Sequence, residues 1–157
     1  MKVSDLHESE TRQKLFTEGL TIRTGPFNFR IISNIDSVAS GLRLLYADYP
    51  LVEHGEFVDF TVRLLKSGGI RRWWRPQVRF IYDGQHPFSA LPVDHAFPLL
   101  EWAMNWCIST QAHQYLTLHA AVIEKHGLAV IMPAPPGSGK STLCAGLVSK
   151  GWRLLSD

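Results

Sequence analysis

A strand, a glycine-rich loop and a helix follow one another between residues 128 and 151, and this order restricts how the C-terminal part of the chain can fold. Residues 128–132 are uniformly apolar, which is typical of a strand covered on both faces in an α/β protein. Residues 141–150 carry apolar side chains at helical spacing, and Gly151 follows them as a suitable C-cap. The pattern predicts the opening of an α/β unit.

The loop between the strand and the helix has the residue types of a phosphate-binding loop, or P-loop. Gly137 and Gly139 allow successive backbone N–H groups to turn around an anion, and the helix directs its free N–H groups at the same place. Lys140 would neutralise the β- and γ-phosphates of a nucleotide, and the Ser141 hydroxyl would complete a Mg²⁺ shell. Ala134 stands where the usual pattern has glycine. A glycine-rich turn that binds nothing is the alternative.

We therefore predict a site for ATP and Mg²⁺ in this loop. The predicted nucleotide-binding residues are Ala134, Pro135, Pro136, Gly137, Ser138, Gly139, Lys140, Ser141 and Thr142. Because prolines lack an N–H donor, phosphate contact is expected from residues 137–142. A further strand is predicted from residue 152, and Asp157 ends it on the side where α/β sheets bind ligands. Ser141 and Asp157 are the predicted metal ligands, and a solvated aspartate in a turn is the alternative for Asp157.

The segment from Leu118 to Asp157 resembles the start of the catalytic domain of HPr kinase/phosphorylase, and more closely the bacterial HPr kinase-related kinases. The likeness rests on Leu118-His-Ala before a hairpin, an apolar strand, the glycine-rich loop, and Gly151-Trp-Arg-Leu-Leu-Ser-Asp157. It implies a kinase that uses Mg-ATP to phosphorylate a protein serine hydroxyl. It also implies three catalytic residues, Lys140, Asp157 as base for the hydroxyl, and His119 near the phosphates. From the sequence pattern alone, His119 fits a structural histidine as well.

The resemblance covers residues 116–157, and the N-terminal part does not look like the regulatory domain of HPr kinase/phosphorylase. The acceptor is therefore expected to be a protein, with a small molecule carrying a hydroxyl as the alternative. HPr kinase/phosphorylase forms hexamers, so the resemblance also suggests a homo-oligomer. Other P-loop ATPases, which transfer phosphate to water, and a nucleotide-binding module without activity are the competing functions.

Residues 1–114 predict an N-terminal α+β module of unknown role, and residues 115–157 predict the beginning of the P-loop kinase domain. The first dozen residues are polar and predict a frayed or weakly helical lead-in. Apolar alternation and helical spacing predict strands at 20–24, 27–32, 57–65 and 70–82, and helices at about 36–46 and 96–110. In the C-terminal part, strands are predicted at 116–123 and 128–132, followed by the helix and the last strand.

A stretch of interleaved cations and aromatics, Arg71-Arg72-Trp73-Trp74-Arg75, resembles surfaces that bind single-stranded nucleic acid. The net charge of +2 is too small to favour nucleic acid as a partner. A strand with solvated arginines and one inward tryptophan is the favoured interpretation. A docking surface for a protein substrate is a further interpretation of this stretch.

The composition excludes several other classes. The chain has 45% hydrophobic residues and can form a core, while its two cysteines exclude a disulfide-dense secreted scaffold. No apolar run approaches the roughly 18 residues of a membrane span, and the polar N-terminal segment does not resemble a signal peptide. We therefore expect a cytoplasmic protein that is not a membrane protein.

The predicted kinase domain is short for its class. A P-loop fold needs several parallel strands, and few strands precede Asp157. We therefore expect a truncated domain belonging to a longer protein of roughly 300 residues. We expect residues 1–157 alone to have little kinase activity.

Overall fold

The computed structural model describes residues 1–53, 55–69 and 74–156. Within them the chain is a mixed α/β protein with two sheets, as predicted at this level of detail. It divides into an N-terminal unit, Met1–Ala112, and a C-terminal unit, His113–Asp157. No helix in the described ranges is long and apolar enough to cross a membrane. The predicted features at Arg71, Arg72, Trp73 and Asp157 lie outside the described residues.

The N-terminal unit is built on a five-stranded sheet in the order β1-β2-β3-β4-β5. Strands β2 and β3 are parallel, and the other neighbouring pairs are antiparallel. The strands are β1 (Leu20–Thr24), β2 (Phe27–Ser33), β3 (Phe60–Lys66), β4 (Gln77–Ile81) and β5 (Leu91–Pro92). The helices are α1 (Glu8–Phe16), α2 (Asp36–Leu45) and α3 (Ala96–Gln111). Helix α2 lies in the connection between the two parallel strands.

The core of this unit lies between one face of the sheet and the three helices. Burial alternates along the central strands, so that Phe29, Ile31 and Val62 are fully buried while their sequence neighbours are not. Leu42 of α2 and Leu99 of α3 belong to the same buried cluster. Each large apolar side chain buried in this way contributes roughly 1.5–3 kcal/mol to folding.

Several predicted boundaries in this unit differ from the structure. The hairpin at Gly25 and the helix from Asp36 lie where they were predicted. Strand β3 begins at Phe60 and not at residue 57, and β4 begins at Gln77 and not at residue 70. Pro76 precedes β4 and cannot donate to a strand ladder. The first dozen residues were expected to be a frayed or weakly helical lead-in. Glu8–Phe16 forms the helix α1, in which Thr11 and Leu15 are buried against the rest of the unit.

The C-terminal unit contains a three-stranded sheet in the order β7-β6-β8 and one helix. Its elements are β6 (Ala120–Lys125), β7 (Leu128–Pro133), α4 (Lys140–Val148) and β8 (Arg153–Ser156). Strand β6 is central and antiparallel to both neighbours. Strand β7 was predicted to be covered on both faces, and within the described residues it is not. It is an edge strand of the described sheet, with Leu128 74% and Ile131 55% exposed.

Glu124 of β6 forms hydrogen bonds to the β6–β7 turn and to β8. Its carboxylate accepts a hydrogen bond from the Gly127 N–H (2.7 Å) in the β6–β7 turn and one from Arg153 Nε (3.0 Å) on β8. The Gly127 hydrogen bond, and then the Arg153 charge, lower the pKa of Glu124. The ion pair lies across the β6–β8 register, in which Glu124 is opposite Arg153.

The two units are expected to differ in local stability. In the C-terminal unit the buried apolar cluster is small, consisting of Ala121, Ile123 and Cys144 among the described residues. Backbone amides of β7 and β8 should therefore exchange with solvent about ten-fold faster than those of β2 and β3, or faster still, because opening them exposes less apolar surface. Hydrogen exchange read by NMR or mass spectrometry measures this. Equal protection in both units would contradict the expectation.

Candidate functional site

The glycine-rich loop connects the end of β7 to the start of α4. Gly137 and Gly139 both have positive φ angles, of 78° and 87°, a conformation that other residues adopt only with strain. A Cβ added at either position would meet no atom within 4 Å. The two glycines are therefore required by the backbone path and not by crowding.

Helix α4 begins at Lys140, with Gly139 as its N-cap. The N–H of Leu143 donates to the Gly139 carbonyl (2.9 Å), which is the first hydrogen bond of the helical ladder. The N–H groups of the preceding turn have no carbonyl partner within the helix. They carry the positive end of the helix dipole and form a local environment that favours an anion.

The side chain of Lys140 folds back over the loop. Its Nζ donates to the carbonyl oxygens of Ala134 (2.7 Å) and Pro135 (3.2 Å), and it lies 3.4 Å from Nε2 of His119. Because an ammonium group only donates, the contact with His119 is a hydrogen bond when Nε2 carries no proton. The lysine is half-buried, and its charge is held within the loop by neutral acceptors rather than by a carboxylate.

His119 reaches Lys140 because of the strand order. Strand β6 lies between β7 and β8, and its first residue, Ala120, pairs with Pro133 at the end of β7. His119 directly precedes β6, so it lies at the edge of the sheet where the glycine-rich loop begins. It had been predicted within a strand from residue 116, but the strand starts at Ala120.

The predicted site residues are brought together in part. Lys140 and His119 are in contact, and Ser141 and Thr142 are exposed on the first turn of α4. Asp157, the predicted base and metal ligand, lies outside the described residues. No group of three or more His, Cys, Asp or Glu side chains that could hold a metal occurs in the part of the chain that the structure describes. The carbonyl oxygens of Ala134 and Pro135 were not predicted as acceptors for Lys140, since main-chain contacts of this kind leave no pattern in side-chain types.

Comparisons with known proteins do not extend this picture. No protein-family model, curated protein sequence or solved structure matches the chain.

Proposed function

We propose that this chain is part of an ATP-dependent kinase of the HPr kinase-related type, which transfers the γ-phosphate of ATP to a hydroxyl, most simply a serine, of an acceptor protein. The observation that supports the proposal is the junction of β7, the glycine-rich loop and α4. There, free helix N–H groups, two glycines with positive φ and the Lys140 ammonium occupy one small region. Because ATP is abundant in the cytoplasm, we propose that compartment for the enzyme.

Each residue of the junction has a role in this proposal. The N–H groups of residues 137–142 bind the phosphates, and Lys140 exchanges its carbonyl acceptors for phosphate oxygens and neutralises their charge. His119 lies beside Lys140 and orients the ammonium group. The resemblance to the kinase family suggests Asp157 as the base that accepts the proton of the acceptor hydroxyl.

Magnesium is the metal that this chemistry needs. The Ser141 hydroxyl is a hard oxygen donor on an exposed helix turn, and Mg²⁺ is usually held by one or two protein oxygens together with phosphates and water. The donor set therefore fits Mg²⁺, with Ser141 and, from the resemblance, Asp157 as the residues that would hold it. When bound, the ion would neutralise phosphate charge and would leave the positioning of the phosphates to the protein.

The apolar surface of the C-terminal unit favours a larger domain. Leu154 and Leu155 of β8 are about half exposed, as are Ile131 of β7 and Leu143 of α4. Large apolar side chains of adjacent elements rarely remain together in solvent. We propose that further strands and helices of a P-loop kinase domain cover them in the active enzyme, and that the residues contacting the acceptor protein belong to those elements.

Phosphate transfer is the reaction that tests the proposal. The assay uses the native gene product, whose intact mass is measured first, with Mg²⁺ and γ-labelled ATP. We expect labelled phosphate on a protein acceptor and its release from that acceptor by strong base, as phosphoserine esters allow. Without added Mg²⁺ and in the presence of EDTA, the acceptor should remain unlabelled.

The competing functions give different results in the same assay. Free labelled phosphate without a labelled acceptor indicates a P-loop ATPase that transfers phosphate to water. Nucleotide binding without any turnover indicates a nucleotide-binding module. The absence of both binding and transfer would overturn the nucleotide site itself.

A further inference from the structure

A cavity outside the proposed kinase site lies in the N-terminal unit, between the end of β1, the C-terminus of α2 and one side of α3. Its volume is about 290 Å³. Its wall contains the polar residues Thr24, Glu101 and Asn105 and the aromatic residues Phe27, Tyr46 and Tyr49. The proposed kinase chemistry uses none of these residues.

Glu101 gives this cavity a negative charge that no cation of the described residues balances. The Tyr46 hydroxyl donates to its Oε1 at 3.3 Å, and among the described residues Glu101 forms no other hydrogen bond and no ion pair. No lysine, arginine or histidine of those residues lines the cavity. A half-buried carboxylate in this setting retains acceptor sites for a positively charged donor.

Two tyrosine rings also favour a positively charged ligand in this cavity. The ring centroids of Tyr46 and Tyr49 are 4.7 Å apart, at an interplanar angle of 50°. Phe97 packs edge-on against Tyr46, at 6.3 Å between centroids, and helps to fix its orientation. Aromatic faces attract ammonium and guanidinium groups. Tyr46 also follows the last residue of α2, where the negative end of the helix dipole lies.

The wall also contains an unsatisfied polar atom. The hydroxyl oxygen of Thr24 is buried and has no hydrogen-bond partner among the described residues. Because that oxygen is not exposed to the cavity, Thr24 lines the wall with its other atoms, and Glu101 remains the acceptor for a cationic head group.

We propose that this cavity binds an organic cation, an alkylammonium or alkylguanidinium group, with Glu101 as its counter-ion and the two tyrosine rings as its aromatic wall. The group could come from a free amine or from a lysine or arginine side chain of a protein. An anionic ligand is disfavoured because it would meet the Glu101 carboxylate, and no cationic side chain among the described residues lines the cavity to compensate.

Two small probes of similar size test the proposal on the 157-residue chain. In ¹H–¹⁵N NMR titrations, n-butylammonium should shift the amides of Thr24 and Asn105 in a saturable way, and 1-butanol should not. A Glu101→Gln variant should bind n-butylammonium about ten-fold more weakly or worse, since the charged acceptor is replaced by a neutral one. Glu10→Gln removes an equal charge from an exposed position on α1 and should leave binding unchanged.

The outcomes separate the proposal from simpler explanations. Equal binding of the alcohol and the amine would overturn it, as would unchanged affinity in the folded Glu101→Gln variant or the absence of saturable shifts. If that variant does not fold, the comparison of the two probes on the native sequence still tests whether the cavity prefers a cation. A second pair, N-acetyl-Gly-Lys-Gly-amide and its norleucine analogue, identifies the source. Binding of the lysine peptide supports a protein side chain, and binding of n-butylammonium alone supports a free amine.

Discussion

Replacement of Lys140 by alanine is expected to weaken Mg-ATP binding by about ten- to hundred-fold and to lower the rate of phosphate transfer by about 10²–10³. The ammonium group is the cation that the structure holds over the glycine-rich loop, 2.7 Å from the Ala134 carbonyl oxygen. Without it, the loop itself opposes the negative charge of Mg-ATP with backbone N–H groups and no side-chain cation among the described residues. Affinity is measured with a fluorescent ATP analogue on the 157-residue chain, and transfer on the native gene product.

A matched control lies near the other end of α4. Lys150 is exposed, and it is its backbone carbonyl, not its side chain, that accepts a hydrogen bond from Lys125. Lys150→Ala removes the same charge from the same unit and should leave nucleotide affinity within about two-fold, as expected for an exposed charge screened by solvent. If both variants bind the nucleotide as the native chain does, the loop is not a nucleotide site and the kinase proposal fails with it.

The Gly41→Ala substitution should destabilise the N-terminal unit by about 1–3 kcal/mol, even though alanine is the better helix former. Gly41 lies in α2, and a Cβ at this position would fall on the ring of Phe97 in α3. The ring cannot move without disturbing the packing of the two helices, which share the core of the unit. Urea denaturation followed by circular dichroism measures the loss.

Gly146→Ala is the matched control for this effect. Gly146 is also in a helix, α4, but an added Cβ would meet nothing within 4 Å. The substitution should therefore stabilise its helix, by about 0.5–1 kcal/mol, through the lower conformational entropy of the unfolded chain. If Gly41→Ala lowered the free energy of unfolding no more than Gly146→Ala does, α2 and α3 would not approach each other closely at Phe97.

The fold could be predicted from sequence where side-chain periodicity is strong. The β1–β2 hairpin alternates apolar and polar residues around Gly25, and the predicted and observed strands agree within one residue. For the region of helix α1, only a frayed or weakly helical lead-in was predicted, because the buried residues of the helix are Thr11 and Leu15, and threonine is not an apolar residue type. Strand β5 is two residues long and paired to β4, so its pairing comes from tertiary contact and not from a local pattern.

The candidate site, too, could be predicted from the sequence only in part. The positive φ angles of Gly137 and Gly139 follow from residue type, since glycine is the residue that adopts them without strain. The contact between His119 and Lys140 depends on β6 being the central strand, which no local pattern in the chain encodes. For Asp157 the role of base stays a prediction from the resemblance.

The central position of β6 has a further geometric consequence for the C-terminal unit. Strands β7 and β8 run in the same direction on either side of it, so their carboxyl ends reach one edge of the sheet. Two strand spacings separate them, a gap of about 10 Å. A chemical group extending from the end of one of these strands towards the other must cross the start of β6, where the imidazole of His119 stands next to the Lys140 ammonium.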